Sequence, residues 1–259
     1  MISEGSATDD DGEPTGDRRL VSVTRRRAMT LAGIGLLGTL PSVAAADSPV
    51  RKQSDHLILI PDSVTVNETG EPIHPTDETD PETGLYDADE FDDDENRVPL
   101  MTPDGERVTW GEYSAVDGSI SVKCLRKGTH ATIHVDGLIP KGLYTIWVVV
   151  FADPGFDGTF QNLIGAAPLG RNDGSQNTFR ASRSGQGHIA AIDRQDTLTM
   201  EGPAHEPEYT TGECLLTDEF EVHFVGAYHW DDESHGPVVG PHVVEQFAFA
   251  FREGEPLIL

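Results

Sequence analysis

From Val98 onward the chain is a succession of short apolar runs broken by glycine and proline, and no run carries a helical repeat. In "HATIHV", Ala131, Ile133 and Val135 alternate with His130, Thr132 and His134. That two-residue period puts one set on a buried sheet face and the other on the opposite face. "SISVKCL" precedes it across "RKGT", the pattern of a hairpin turn. "LYTIWVVVF" (Leu143–Phe151) is apolar on both faces, as a central strand is. "VTWGEY" (Val108–Tyr113) reads as the strand that opens the series, and "NTFRAS" and "GHIAAID" as weaker ones. "EFEVHFVGAYHW" and "VVEQFAFAF" close it, the latter with Glu245, Phe247, Phe249 and Phe251 on one face and Ala248 and Ala250 on the other. Eight or nine strands without a helix predict an all-β domain over 98–252, an immunoglobulin- or fibronectin-like antiparallel β-sandwich, with 253–259 as a tail.

The segment before this domain is polar and acidic. Thr76 to Arg97 has eleven carboxylates and almost no apolar residue, too little buried surface to offset the entropy of ordering. Residues 47–97 therefore read as a largely disordered linker, with one short apolar run, His56–Ile60, as a possible strand. "DADEFDDDE" alternates oxygen ligands as a calcium loop does, but the sixth position from Asp87 is Asp92 instead of the turn glycine. Asn67-Glu-Thr is an N-glycosylation acceptor pattern. Further upstream, Arg25, Arg26 and Arg27 precede the apolar run Ala28–Leu40 and the small residues Ala44–Ala46. This is the layout of an export signal over 1–46 of twin-arginine (Tat) type, with Asp47 as first mature residue. The run is shorter than the roughly 20 apolar residues of a membrane span, so no span is expected in the mature form.

The whole chain shares this acidity: 18 Lys plus Arg face 45 Asp plus Glu, a net charge of −27. Such a surface repels nucleic acid and anionic lipid. It is tolerable where molar salt shortens the Debye length to about 3 Å, so the composition predicts a halophilic, secreted protein. The two cysteines, Cys124 and Cys214, have no zinc-like spacing and form the candidate disulfide, as expected outside the cell. Closing about 90 residues, it would contribute roughly 4 kcal/mol in the chain-entropy account.

The most distinctive segment is "HWDDESHGPVVGPH", His229 to His242. His229, His235 and His242, with His223 one strand upstream, are the candidate metal ligands, convergent with Asp231 or Glu233 for zinc or copper. The competing reading is a polar turn fixed by its two Gly-Pro pairs, with His223 a core residue alternating with Val225 and Ala227. His130 and His134 cannot share one ion, because four positions along a strand separate them by about 13 Å. No nucleophile elbow, phosphate loop or basic patch occurs, so no catalytic residue is assigned.

"GLIPKGLYTIWVVVF", "HGPVVG" (His235–Gly240) and Glu245-Gln246 together resemble a family of exported haloarchaeal and bacterial β-sandwich proteins of undefined function. The likeness spans Met101 to Phe251 and implies the fold but no activity. The expected function is non-catalytic: binding of an unknown ligand or cell-surface component, or a surface-structural role. The alternative is an exported zinc- or copper-binding protein using the histidine loop.

Overall fold

The structure, a computed structural model, describes residues 50–60, 65–66, 72–73, 100–194, 198–205, 214–217, 219–240 and 242–258. The expected signal, Asn67 and the acidic run from Thr76 to Arg97 lie outside the described residues.

Two antiparallel sheets form a sandwich. The smaller is built from β1 (Arg51–Ser54), β5 (Asp117–Leu125), β6 (Gly128–Asp136) and β10 (Gly187–Asp193), in that order. The larger runs β11 (Met200–Glu201), β8 (Leu163–Pro168), β7 (Leu143–Ala152), β12 (Phe220–His229), β13 (Val243–Arg252) and β14 (Glu255–Pro256). Off this path, β2 (Ile58–Leu59) pairs with β13 and β9 (Thr178–Arg180) with β7, while β3 (Thr65–Val66) and β4 (Pro72–Ile73) pair with each other. The domain therefore reaches beyond 98–252 on both sides. Arg51–Ser54, expected to be linker, adds an edge strand on β5, and Glu255–Pro256, expected to be tail, hairpins onto β13.

The core follows the alternation. Ile120 and Val122 of β5 and Ala131, Ile133 and Val135 of β6 face Ile146, Val148 and Val150 of β7, Phe224 of β12, and Phe247, Phe249 and Phe251 of β13. Each full burial of such a side chain contributes about 1.5–3 kcal/mol. Cys124 and Cys214 are disulfide-bonded with Cα atoms 5.4 Å apart. Beside that bond the Leu215 N–H donates to Thr129 Oγ1 at 2.8 Å, so the segment before β12 is held to the smaller sheet twice.

Two local expectations are corrected. "VTWGEY" is not a strand: Trp110–Ser114 forms a one-turn helix, α1. Thr109 caps it, its Oγ1 accepting from Glu112 N–H at 3.2 Å while Glu112 Oε2 accepts from Thr109 N–H at 2.9 Å. This reciprocal T-x-x-E arrangement satisfies two otherwise orphaned donors and outweighs the strand preference of the aromatic residues. Second, Glu245 does not share the face of Phe247. The β12–β13 register pairs Gly226 with Phe247 and then Ala227 with Glu245, skipping Gln246. In this bulge Gln246 and Phe247 both turn inward, and Glu245 is left on the outer face. Gly226 permits it, since a Cβ there would lie 2.1 Å from Phe247 Cζ.

Gly226→Ala should therefore destabilise the protein by about 1–3 kcal/mol, the usual cost of overpacking a core. Gly111→Ala on α1 meets nothing within 4 Å and should be neutral or stabilising by up to about 1 kcal/mol. Denaturant unfolding of both variants checks this, and equal effects would contradict the assigned packing.

Candidate metal centre

The outer face of the larger sheet carries Thr145, Trp147 and Val149 of β7 beside His223, Val225, Ala227 and His229 of β12, by the alternation of each strand. His229 is the last residue of β12 and only 1 % exposed. Its Nε2 lies 2.8 Å from Thr145 Oγ1, which also accepts from Trp147 Nε1–H at 2.8 Å. Its Nδ1 is buried without a hydrogen-bond partner. Burial pushes the His229 imidazole toward its neutral form, and nearby His235 adds to that effect against the opposing pull of Asp231 and of the Glu233 carbonyl close to the ring.

Beyond His229 the chain turns through Asp232, at φ 64°. The turn is braced by Asp232 N–H donating to His229 C=O at 3.4 Å and by the Arg180–Asp232 ion pair at 2.5 Å. Asp231 Oδ1 accepts from Glu233 N–H at 3.1 Å. Its Oδ2 faces His235 Nε2 and His242 Nδ1, each at 3.4 Å. Burial raises the Asp231 carboxyl, but the Glu233 N–H, the His242 contact and the nearness of His235 outweigh it and hold the group below the usual carboxylate range. His235 Nε2 is likewise buried, and its approach to Asp231 lacks hydrogen-bond alignment. The His235 ring occupies the space a side chain at residue 240 would need: a Cβ on Gly240 would fall 2.0 Å from His235 Cδ2. The second glycine of "HGPVVG" thus exists for the histidine that begins it.

One ligand atom from each of His229, Asp231 and His235 falls within 4.8 Å of the others. Two imidazole nitrogens and one carboxylate oxygen are a donor set suited to zinc or copper. Of the four expected ligands, the structure brings His229 and His235 together and places His242 against the same Asp231 oxygen. It excludes His223, which is six residues along β12 and so about 20 Å from His229. His134, which cannot share an ion with His130, instead faces His188 across β6 and β10, ring centroids 4.4 Å apart. Thr145 was not singled out from the sequence. Its only signal there was a hydroxyl inside an otherwise apolar strand.

His223 belongs to a different cluster. Its ring lies 5.0 Å from that of Phe151 and 5.9 Å from that of Phe156, and its Nε2 is 2.6 Å from Glu221 Oε1. Glu221, almost wholly buried, also accepts from Phe156 N–H at 3.2 Å and pairs with Arg252. Burial alone would raise the Glu221 carboxyl; the His223, Phe156 and Arg252 donors more than offset it and lower it. Comparison with protein-family models, curated proteins and solved structures returns no match to this chain.

A depressed carboxyl stabilises the fold above its unfolded pKa of about 4.3, and that stability is lost as pH falls through the lower folded value. Glu221→Gln should therefore cost about 1–3 kcal/mol at pH 7. It should also flatten the loss of stability below about pH 4 seen in the unaltered chain. Denaturant midpoints measured from pH 7 to pH 3 test both parts.

Proposed function

We propose that this protein is a non-catalytic, metal-binding β-sandwich protein that takes up a zinc-class divalent ion through His229, Asp231 and His235. The observation that carries the reading is the convergence of one ligand atom from each of the three residues within 4.8 Å, and each of the two histidines also has a buried ring nitrogen, His229 Nδ1 and His235 Nε2, with no hydrogen bond of good geometry. A buried polar atom without a partner costs about 1–3 kcal/mol, and an ion would satisfy both at once. The outer contacts suit that role. With Nε2–H donating to Thr145 Oγ1, His229 presents the Nδ1 lone pair to the centre, and the hydroxyl fixes the ring as such contacts do for metal-ligating histidines. Asp231, held ionised, supplies the negative charge. His242, on the same carboxylate, is a further donor at the rim.

Export supports the same reading from another direction. The Arg25–Arg27 segment with its apolar run has the form of a signal. The Cys124–Cys214 bond is of the kind that persists in oxidising surroundings. The net charge of −27 suits a salty exterior. We place the protein outside the cell, binding a metal ion or a cell-surface component through it.

Titration of the EDTA-treated, folded chain with zinc chloride in a calorimeter should show one ion per chain. His229→Ala with His235→Ala should abolish binding, while His223→Ala should leave it unchanged. At a hundredfold excess over Kd the ion should add about 2.7 kcal/mol of stability. Absence of binding, or binding that survives the double substitution, refutes the assignment.

A further inference from the structure

On the outer face of the smaller sheet, β6 and β10 set His134 directly opposite His188. Their strand neighbours Ile133, Val135 and Ile189 are buried in the core, while both imidazoles are exposed. Side chains opposed in this way have Cβ atoms about 4.5–5.5 Å apart, near enough for two histidines to grip one ion. His223, His229 and His242 each have a carboxylate or hydroxyl beside the ring. Among the described residues, neither His134 nor His188 has such a partner; each ring faces the other, centres 4.4 Å apart and planes inclined at 38°. An ion bonded to imidazole nitrogen at about 2.0 Å sits about 3.1 Å from the ring centre. Two rings at adjacent corners of a square around it then have centres about 4.4 Å apart, the arrangement of copper(II). At tetrahedral corners, as zinc prefers, the separation is about 5.1 Å. The observed spacing is the first of these. Turning each ring about its Cβ–Cγ bond aims one nitrogen from each at a shared point and leaves the centres where they are.

We propose that His134 and His188 form a second metal site, separate from the His229 centre, which takes one copper(II) ion. Two imidazole nitrogens occupy adjacent positions around the ion, and water fills the rest: among the described residues, the one group of three ligand atoms close enough to share an ion is at His229. The site is therefore open to solvent, unlike the closed four-ligand sets of structural zinc. Copper(II) stands at the top of the divalent affinity order for nitrogen ligands. Zinc stands below it, and with two protein ligands instead of three the pair holds zinc too weakly to compete with the His229 centre. The setting favours a cation. Asp136 lies two residues from His134 on the same face and is paired in register with Asp117, and the net charge of −27 concentrates cations at the surface. Arg51, which borders the groove beside His134, donates to Ser121 Oγ at 3.3 Å. His130 lies on the same strand face but too far along β6 to join the ion.

The test titrates copper(II) chloride into the folded full chain carrying His229→Ala and His235→Ala, so that the first centre is removed. Metal binds the unprotonated nitrogen, so the buffer is non-coordinating and held at about pH 8, above the ordinary imidazole value of about 6.5. This parent should take up one copper(II) per chain, at least about tenfold more tightly than zinc. Adding His134→Ala or His188→Ala should weaken copper(II) binding about tenfold or more, whereas adding His130→Ala should change it less than about twofold. Pulsed electron paramagnetic resonance should show two coordinated imidazoles in the parent and one in either single variant, a signature that a change in folding alone does not produce. Copper(II) that fails to bind the parent, or that binds it no more tightly than it binds the His134→Ala and His188→Ala variants, overturns the site. A spectrum with two imidazoles retained in either variant does the same. Zinc held as tightly as copper(II) by the parent overturns the choice of ion.

Discussion

The arrangement depends on one irregularity, the bulge where Gly226 of β12 faces Phe247 of β13 and Gln246 goes unpaired. Two consecutive side chains then point into the sandwich, which a regular strand forbids. Phe247 fills the space over Gly226. Gln246 brings a primary amide into an apolar core, tolerable only if its polar atoms are met. They are: Oε1 accepts from the Tyr144 hydroxyl at 2.7 Å and Nε2 donates to Tyr113 C=O at 2.9 Å. Tyr144 in turn accepts from Ile139 N–H at 3.0 Å. The Tyr113 hydroxyl lies 2.7 Å from Ile60 C=O and 2.8 Å from Glu245 C=O. One inserted residue thus ties α1, the Ile139 turn, β7, β13 and the strand segment at Ile60 into a single polar knot.

The same irregularity decides which chemistry reaches the outer face. Residues before and after the bulge exchange faces, so Glu245 stands outside among apolar neighbours while Val244 packs inward. With β12 unbroken, its odd-numbered residues from His223 to His229 all stay outward. The larger sheet consequently carries, on the side away from the core, the His229–Asp231–His235 cluster at one end and an apolar hollow along its middle. Thr145 and Trp147, hydrogen-bonded to each other, join the two.

The sandwich was legible in the sequence because its strongest signals are periodic. The alternation in β6 and the two-sided apolarity of β7 depend only on residue order, and both survive in the structure. The disulfide was legible from a count of two cysteines. What periodicity cannot show is a change of phase, and there the reading of β13 went astray: Glu245 was grouped with the phenylalanines because nothing in "VVEQFAFAF" marks the skipped Gln246. The mark lies on the partner strand, at Gly226. Helix α1 was missed for the opposite reason, since a five-residue element holds too few positions for a period and announces itself only through its T-x-x-E cap. Arg51–Ser54 was assigned to linker because an edge strand with one buried residue has almost no apolar signature.

The candidate metal centre shows how composition conceals a site. In a chain with 45 acidic residues, the run Asp231-Asp232-Glu233 reads as ordinary surface. The structure gives the three different tasks. Asp232, at positive φ, pairs with Arg180 and fixes the turn. Glu233 lends its backbone N–H to Asp231 Oδ1. Only Asp231 turns its other oxygen to the histidines, and it does so because its neighbours have settled the backbone around it. Proximity in sequence therefore put the clustered residues in one loop but could not rank them. Strand length did rank the histidines: His223 and His229 sit on the same face of β12 and yet lie too far apart to share an ion. The cluster of His229, Asp231 and His235 is fixed by where β12 stops, at His229, because a strand end is where the chain can turn back and bring two later residues within reach of it.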